Sequence, residues 1–140
     1  MAIGFKTAEQ LKMQAGLVWS DVKGKPLSVS VRGKDIQEGI PVTRTVSSDE
    51  VAEILNKPFQ SIEEGIIHAL EFCPPELAAD IYESGIHVTG GGALLHGVRE
   101  RLEHVLQLPI HIDSEPLLAV SKGISQALRD PKKFKPVLFE

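Results

Sequence analysis

Two short runs in the first half of the chain alternate apolar and polar residues. Residues 27–31 read Leu-Ser-Val-Ser-Val, and residues 40–46 alternate again with several β-branched side chains. Such alternation is typical of a half-buried β-strand. Turn-forming residues at 32–35 and 38–39 separate the two runs. We therefore predict an antiparallel hairpin with a polar tip.

A long helix is predicted directly after the hairpin. Ser47 is followed three residues later by Glu50, which is the pattern of a capping box at a helix N-terminus. Apolar side chains then recur at spacings of three and four and mark one helix face, namely Val51, Ile54, Leu55, Phe59, Ile62, Ile66, Ala69 and Leu70. Pro58 lies inside this stripe, so we expect it to kink the helix or to split it in two.

A shorter helix is predicted near the N-terminus. Thr7 is its expected N-cap, Gln10 the reciprocal capping partner, and Gly16 its end. Glu9 and Lys12 are three residues apart on this helix, so their side chains project from one face. An exposed ion pair of this kind is common and contributes little stability. The residues alone therefore favour a solvated surface pair over a ligand site.

The second half of the chain changes to a strand, turn and helix pattern. After a helix that starts at the Pro74-Pro75 pair, the pattern predicts a strand at 86–89, a tight glycine turn, a helix at 93–106, a strand at 110–112 and a last helix at 116–128. Two short strands joined by a helix imply a parallel pair with a right-handed crossover. The predicted fold class is α/β, with the mildest boundary between its two halves near Pro74.

Composition and charge exclude several classes of function. The chain has 140 residues, 42% of them hydrophobic, and a formal charge of -4. No global positive field draws such a chain onto nucleic acid, so we predict no nucleic-acid partner. Cys73 is the single cysteine, and the five histidines show no metal-ligand spacing, so no disulfide and no metal site are predicted. The sequence contains no signal peptide and no membrane-spanning run.

The strongest chemical signal is the triple glycine Gly90, Gly91 and Gly92, which follows a strand and precedes the predicted helix. Glycines let a ligand approach the main chain, and a helix N-terminus presents free backbone N–H groups, which is one way proteins hold nucleotides. Neither a P-loop nor a dinucleotide fingerprint is present. A sharp turn with close helix packing remains the equal alternative from the residues alone.

Several segments in register resemble the C-terminal part of the bacterial actin-like MreB family. They are the Thr7-Ala8-Glu9-x-x-Lys12 segment, Val-Arg-Gly-Lys-Asp at 31–35, Gly-Ile-Pro at 39–41, Pro-Pro-Glu-Leu-Ala-Ala-Asp-Ile at 74–81, Gly-Ile-His-Val-Thr-Gly-Gly-Gly-Ala-Leu-Leu-His-Gly at 85–97 and Glu-Pro-Leu-x-Ala-Val-x-Lys-Gly at 115–123. The resemblance runs from about Ile3 to the end. It implies part of an actin-like ATPase fold, with residues 1–73 as a small subdomain IIB with connecting helices and residues 74–140 as the later part of subdomain IIA.

The resemblance also implies where a nucleotide binds. In that family adenine lies between these two subdomains, so Gly90, Gly91 and Gly92 are expected to face the nucleoside. Glu9 and Lys12 are expected to contact adenine or ribose from the opposite side. The implied cofactor is ATP or ADP, with magnesium in the intact protein and weak or no binding in this chain alone.

The implied function is that of a C-terminal piece of a cytoskeletal protein that binds ATP, polymerises with itself, maintains rod cell shape and guides cell-wall synthesis. The implied partners are further copies of the protein and cell-shape and cell-wall synthesis proteins. The implied location is the cytoplasm, at the inner face of the membrane when the protein is part of a filament, with only indirect membrane contact for this segment.

The motifs that hold phosphate and magnesium in the family are missing from this sequence. We find no glycine-rich phosphate hairpin and no Asp-x-Gly-Gly-Gly-Thr segment. Because phosphoryl transfer depends on an electrostatic clamp around the phosphate, this chain alone is not expected to hydrolyse ATP. The alternative function is a non-catalytic interaction module of the same fold that docks a cytoskeletal or membrane-bridging partner. A third, less favoured interpretation is the ATPase half of a sugar kinase or a chaperone with the same superfamily fold.

Overall fold

A computed structural model describes residues 1–19 and 27–135, and they form five α-helices, four β-strands and one 3-10 helix. The first half contains α1 (Phe5–Ala15), β1 (Ser28–Lys34), β2 (Pro41–Ser47) and α2 (Ser48–Glu71). The second half contains α3 (Pro75–Ser84), β3 (Ile86–Val88), the 3-10 helix (Gly91–Leu94), α4 (Val98–Leu106), β4 (Ile110–Ile112) and α5 (Ala119–Arg129).

The hairpin and the parallel strand pair are both confirmed. β1 and β2 pair antiparallel over seven residues, from Ser28 opposite Ser47 to Lys34 opposite Pro41. The strands extend further toward the tip than predicted, since residues 32–34 are paired and not part of the turn. β3 and β4 pair in parallel, with Ile86 opposite Ile110.

Helix α2 begins as predicted and is not split. The side chain of Ser47 accepts a hydrogen bond from the backbone N–H of Glu50 at 3.2 Å, and the Glu50 carboxylate accepts one from the Ser47 N–H at 2.9 Å. The helix runs unbroken through Pro58. Val51 and Phe59, on either side of the proline, are both buried. Packing on both sides therefore holds the helix together despite the lost backbone bond.

Three other helix predictions are wrong in detail. Helix α1 starts at Phe5, two residues before the expected cap Thr7. Its N-cap is Gly4, which has no side chain to cap the helix. The predicted helix at 93–106 begins only at Val98, because the chain first forms the short 3-10 helix and an extended Leu95. The last helix begins at Ala119, after a turn.

One core joins the two halves of the chain. Val18, Phe59, Val98, Leu102 and Ile110 are buried together. They come from the segment after α1, from α2, from α4 and from β4. The first two of these elements precede the boundary predicted near Pro74 and the other two follow it, so the halves pack as one body through α2.

A buried ion pair lies beside this core. The Arg101 guanidinium on α4 donates to both oxygens of Glu63 on α2, at 2.5 and 3.1 Å, and also to the carbonyl of Val18 at 3.0 Å. The ring of Phe59 packs 4.9 Å from the guanidinium carbon. This cluster ties together α2, α4 and the segment after α1.

Apolar side chains on the later helices are exposed. Helix α5 has no buried residue, and Val120, Ile124 and Leu128, which are four residues apart, form a stripe on one face. On α3, Leu77 and Tyr82 are also exposed. None of these side chains belongs to the core of the described residues.

Candidate functional site

Glu9 and Lys12 lie on α1 and pair with each other. The Lys12 ammonium is 2.8 Å from a Glu9 carboxylate oxygen, and the two side chains are 42% and 54% exposed. Both groups are therefore accessible to a ligand. Separating them for a ligand costs little, because exposed ion pairs contribute well under about 1 kcal/mol.

The glycine turn leaves β3 and enters the 3-10 helix. Gly90 has φ +84°, a left-handed conformation that glycine adopts without strain. Its backbone N–H donates to the carbonyl of Pro116 at 2.9 Å, which fixes the turn against the segment before α5. Gly91 and Gly92 are the first residues of a four-residue 3-10 helix. The turn therefore offers open main chain and not the N-terminus of an α-helix, contrary to the sequence-based expectation.

Packing does not require glycine at the second and third positions of the turn. A β-carbon on Gly92 would have no neighbour within 4 Å, and one on Gly91 would only touch Leu117 at 3.5 Å. Packing does require glycine at Gly16 and Gly33, since a β-carbon on either residue would collide with backbone atoms. The alternative interpretation, a sharp turn with close helix packing, therefore fits Gly90 through its positive φ, whereas close packing does not explain Gly91 and Gly92.

The end of α1 is joined to the chain that leaves the glycine turn. The His96 N–H donates to the Gly16 carbonyl at 3.1 Å, and the Val18 N–H donates to the His96 carbonyl at 2.9 Å. Gly16 directly follows α1, and Gly92 precedes His96 by four residues. These short backbone hydrogen bonds therefore join the residues just after α1 to a residue four positions after the glycine turn.

A second charged pair beside the turn was missed by the sequence reasoning. Glu115 precedes Pro116, whose carbonyl accepts the hydrogen bond from Gly90. The Glu115 carboxylate pairs with the ammonium of Lys122 on α5. The Glu115 carboxylate raises the pKa of Lys122. The two residues are seven apart and one lies outside the helix, so the i,i+4 spacing rule does not find them. A half-exposed ion pair thus lies in the segment next to Pro116, whose carbonyl accepts the Gly90 hydrogen bond.

Two cavities lie away from these residues, one on the first half of the chain and one between α2 and α4. One of about 500 Å³ lies between α1 and β1 and is lined by Thr7, Gln10, Leu11, Gln14 and residues 29–32. The other, of about 620 Å³, lies beside the buried ion pair and is lined by Val18, Trp19, Glu63, Arg101, Val105 and residues of α2. Neither lining includes Glu9, Lys12 or a glycine of the turn.

Within residues 1–19 and 27–135, no group of three or more His, Cys, Asp or Glu side chains is placed to hold a metal ion. In the same part of the chain, no helix has both the length and the apolar character that crossing a membrane requires.

A family model described as MreB/Mbl protein matches residues 1–136. The chain belongs to the MreB/Mbl family. It is 38% identical over 126 residues to the cell shape-determining protein MreB of Escherichia coli K12, which covers 90% of this chain and 36% of that protein. It is 37% identical over 133 residues to the cell shape-determining protein Mbl of Bacillus subtilis 168, which covers 95% of this chain and 39% of that protein.

Solved structures of the family superpose closely. MreB5 of Spiroplasma citri bound to ADP matches with a TM-score of 0.88 at 37% identity, over 95% of this chain and 40% of that one. The AMPPNP-bound form matches with a TM-score of 0.90 at 35% identity, over 99% and 41%. The predicted fold class, an α/β part of the actin-like ATPase fold, is confirmed. The chain spans about two fifths of the length of these MreB/Mbl relatives.

Proposed function

We propose that the chain acts as part of an MreB-type cytoskeletal protein, which assembles with further copies of itself and supports cell shape. The match of residues 1–136 to the family model carries this proposal. The names of the relatives as cell shape-determining proteins support it. Within this function, residues 1–73 act as the IIB-like unit and residues 74–140 as the IIA-like unit, with the last five residues outside the described part.

The proposed ligand is an adenine nucleotide, held between α1 and the glycine turn. Glu9 and Lys12 form one wall, and Gly90, Gly91 and Gly92 form the other. Three observations support this assignment: family neighbours were solved with ADP and AMPPNP, the two segments are joined at Gly16 and His96, and Gly91 and Gly92 have space above their α-carbons.

Each wall has a distinct chemical task in the proposed site. The Glu9 carboxylate accepts hydrogen bonds and therefore suits the exocyclic amine of adenine or a ribose hydroxyl. The Lys12 ammonium only donates, so it suits a ring nitrogen or a ribose oxygen. The glycines let the flat face of the nucleoside approach the main chain.

The phosphates and magnesium have no proposed holder among the described residues, which contain no cluster of metal-ligating side chains. When bound to the complete family fold, magnesium supplies charge neutralisation of the phosphates. We therefore propose that this chain binds adenosine weakly and that the phosphates of ATP add little binding free energy. The proposed location is the cytoplasm, near the membrane through the filament, and the further partners are cell-shape and cell-wall synthesis proteins.

Calorimetric titration of the 140-residue chain with adenosine and with ATP tests the ligand. We expect the two dissociation constants to agree within about threefold, since each tenfold would need about 1.4 kcal/mol from phosphate contacts. ATP binding more than about tenfold tighter than adenosine, or ATP hydrolysis above the buffer rate, would contradict the proposed division of contacts. Equal weak signals with guanosine would show that the site does not recognise adenine.

The cytoskeletal role is tested by tagging the chain and expressing it in Escherichia coli beside the resident MreB. We expect the tagged chain to follow the peripheral pattern of MreB and to disperse when MreB filaments are removed. Uniform distribution in cells with intact filaments would argue for a different function.

A further inference from the structure

A pair of histidines faces outward from the parallel strands β3 and β4. His87 and His111 occupy directly opposite positions in the strand register, flanked by the pairs Ile86–Ile110 and Val88–Ile112. The flanking side chains belong to or pack against the core, whereas both histidines are exposed. Successive side chains of a strand alternate between faces, so the two imidazoles share the open face of this small sheet.

The spacing of the rings suits a single metal ion. Their centroids are 5.0 Å apart, and their planes are inclined by 33°. An ion in the plane of an imidazole lies roughly 3.2 Å from the ring centroid, since the metal–nitrogen distance is about 2.1 Å and the ring radius about 1.1 Å. An ion that lies in both ring planes would then see the two centroids, 5.0 Å apart, at an angle of roughly 103°. That angle is close to tetrahedral, the geometry that zinc favours.

The backbone around His111 is shaped for the ring. Gly85 has φ +74°, and a β-carbon there would come within 2.9 Å of the Nε2 atom of His111. The absence of a side chain at this position therefore leaves room for the Nε2 edge of the imidazole beside Gly85. Neutral imidazole is the commonest protein ligand of first-row transition metals.

We propose that His87 and His111 form a two-imidazole site for a divalent transition-metal ion such as Zn²⁺, Ni²⁺ or Cu²⁺. No third His, Cys, Asp or Glu joins the pair among the described residues, so water completes the coordination. The ion bridges β3 to β4 at His87, three residues before Gly90, and strengthens a strand pair that has only three rungs. This inference stands apart from the proposed nucleotide function.

Titration of the 140-residue chain with zinc chloride tests the site, with the binding heat and the imidazole proton NMR signals as readouts. We expect one ion per chain and broadening or shifting of the His87 and His111 signals together. Magnesium, a hard cation that prefers oxygen ligands, is expected to produce neither effect. Signals of other histidines that shift first, or equal binding by chain unfolded in urea, would overturn the proposal.

Variants distinguish one ion bound by both imidazoles from ions bound by each imidazole independently. Because the second imidazole binds intramolecularly, His87→Val, His111→Val and the double variant should each weaken zinc binding by a similar factor of about ten or more. Valine suits a strand, so folding is retained. The control His68→Gln, at an exposed position on α2, should leave the affinity unchanged. Additive, small losses in the two single variants would contradict a shared ion.

A measurement on the unaltered chain avoids any question of variant folding. An ion that binds only the folded state raises its stability by mass action. We expect zinc, but not magnesium, to raise the urea midpoint of the chain. An unchanged midpoint at zinc concentrations that saturate the calorimetric signal would show that the ion does not bridge the folded strands.

Discussion

The buried pair of Arg101 and Glu63 offers a sharp test of how the two halves of the chain are held together. The two side chains are only 9% and 8% exposed, and the guanidinium binds both carboxylate oxygens and the carbonyl of Val18. Replacing Arg101 by methionine leaves the Glu63 carboxylate buried without a counter-charge. Breaking such a pair from one side costs about 3–5 kcal/mol.

That loss is a large share of the total stability of a domain, which is typically about 5–15 kcal/mol. In urea unfolding with a slope of about 1–3 kcal/mol per molar, the midpoint of R101M should fall by at least about 1 M. The double variant E63M/R101M removes both charges and fills the space with apolar atoms. Because apolar replacements of buried pairs are often neutral or stabilising, the double variant should recover most of the loss.

The matched control is the exposed pair on α1. Glu9→Gln removes a carboxylate from an ion pair with about half-exposed partners, so it should change stability by less than about 0.5 kcal/mol. The reasoning is refuted if R101M loses no more than this control. It is also refuted if the losses of the two single variants simply add in the double variant, since a coupled pair requires a large interaction energy.

Further predictions concern the cap of α2 and one packing glycine. Ser47→Ala removes the side-chain acceptor for the Glu50 N–H and should cost about 1 kcal/mol in urea unfolding. The hydrogen bond from the Ser47 backbone lowers the pKa of Glu50 in the folded chain, so its stabilising effect is present above the ordinary carboxyl pKa and is lost as the pH falls below about 4. The difference in urea midpoint between the wild type and Glu50→Gln should therefore shrink on acidification, and a constant difference would contradict the cap. Gly85→Ala should lower the urea unfolding midpoint, because φ is +74° and a β-carbon would lie 2.5 Å from the Pro109 carbonyl oxygen. An unchanged midpoint would show that the backbone at this turn relaxes without cost.

The elements whose formation depends on local pattern were predictable from the sequence. Alternation gave the β1–β2 hairpin, and the Ser47–Glu50 spacing gave the start of α2 with its capping box. The glycine turn after β3 was also located correctly. In each case the deciding interactions lie within a few residues of one another, or between adjacent strands, so the sequence carries the signal.

The features set by tertiary packing were not predictable. Pro58 does not divide α2, because Val51 and Phe59 are buried on either side of it. Glu63 lies in a helix where a carboxylate is usually solvated, and its partner Arg101 is 38 residues away. No local spacing rule pairs two such positions. The α4 start was misplaced because His96 forms backbone bonds with Gly16 and Val18, which pulls the preceding residues out of the helix.

The interpretation of Glu9 and Lys12 depended on which kind of sequence evidence was used. Composition and spacing favoured a surface ion pair for Glu9 and Lys12, and the geometry of that pair is what an exposed ion pair shows. Only the resemblance to the MreB family linked these residues to the glycine turn. The link needs contacts between segments that are about eighty residues apart in the chain, and such contacts leave no periodic pattern in a single sequence.

Steric replacement in the glycine turn distinguishes a ligand wall from a structural bend. Gly91→Val should leave the urea midpoint nearly unchanged, because a β-carbon there meets only Leu117 at 3.5 Å. It should weaken adenosine binding by at least about tenfold, since the branched side chain occupies the space of the nucleoside. Gly65→Val, at another glycine with open space around it, is the control.

The most direct test of the nucleoside site is an adenosine titration of the nitrogen-15-labelled chain, followed by amide NMR. We predict that the signals of Gly90, Gly91 and Gly92 and those around Glu9 and Lys12 shift together along one binding curve. Shifts confined to the cavity between α1 and β1, or to only one of the two walls, would contradict a shared adenosine site.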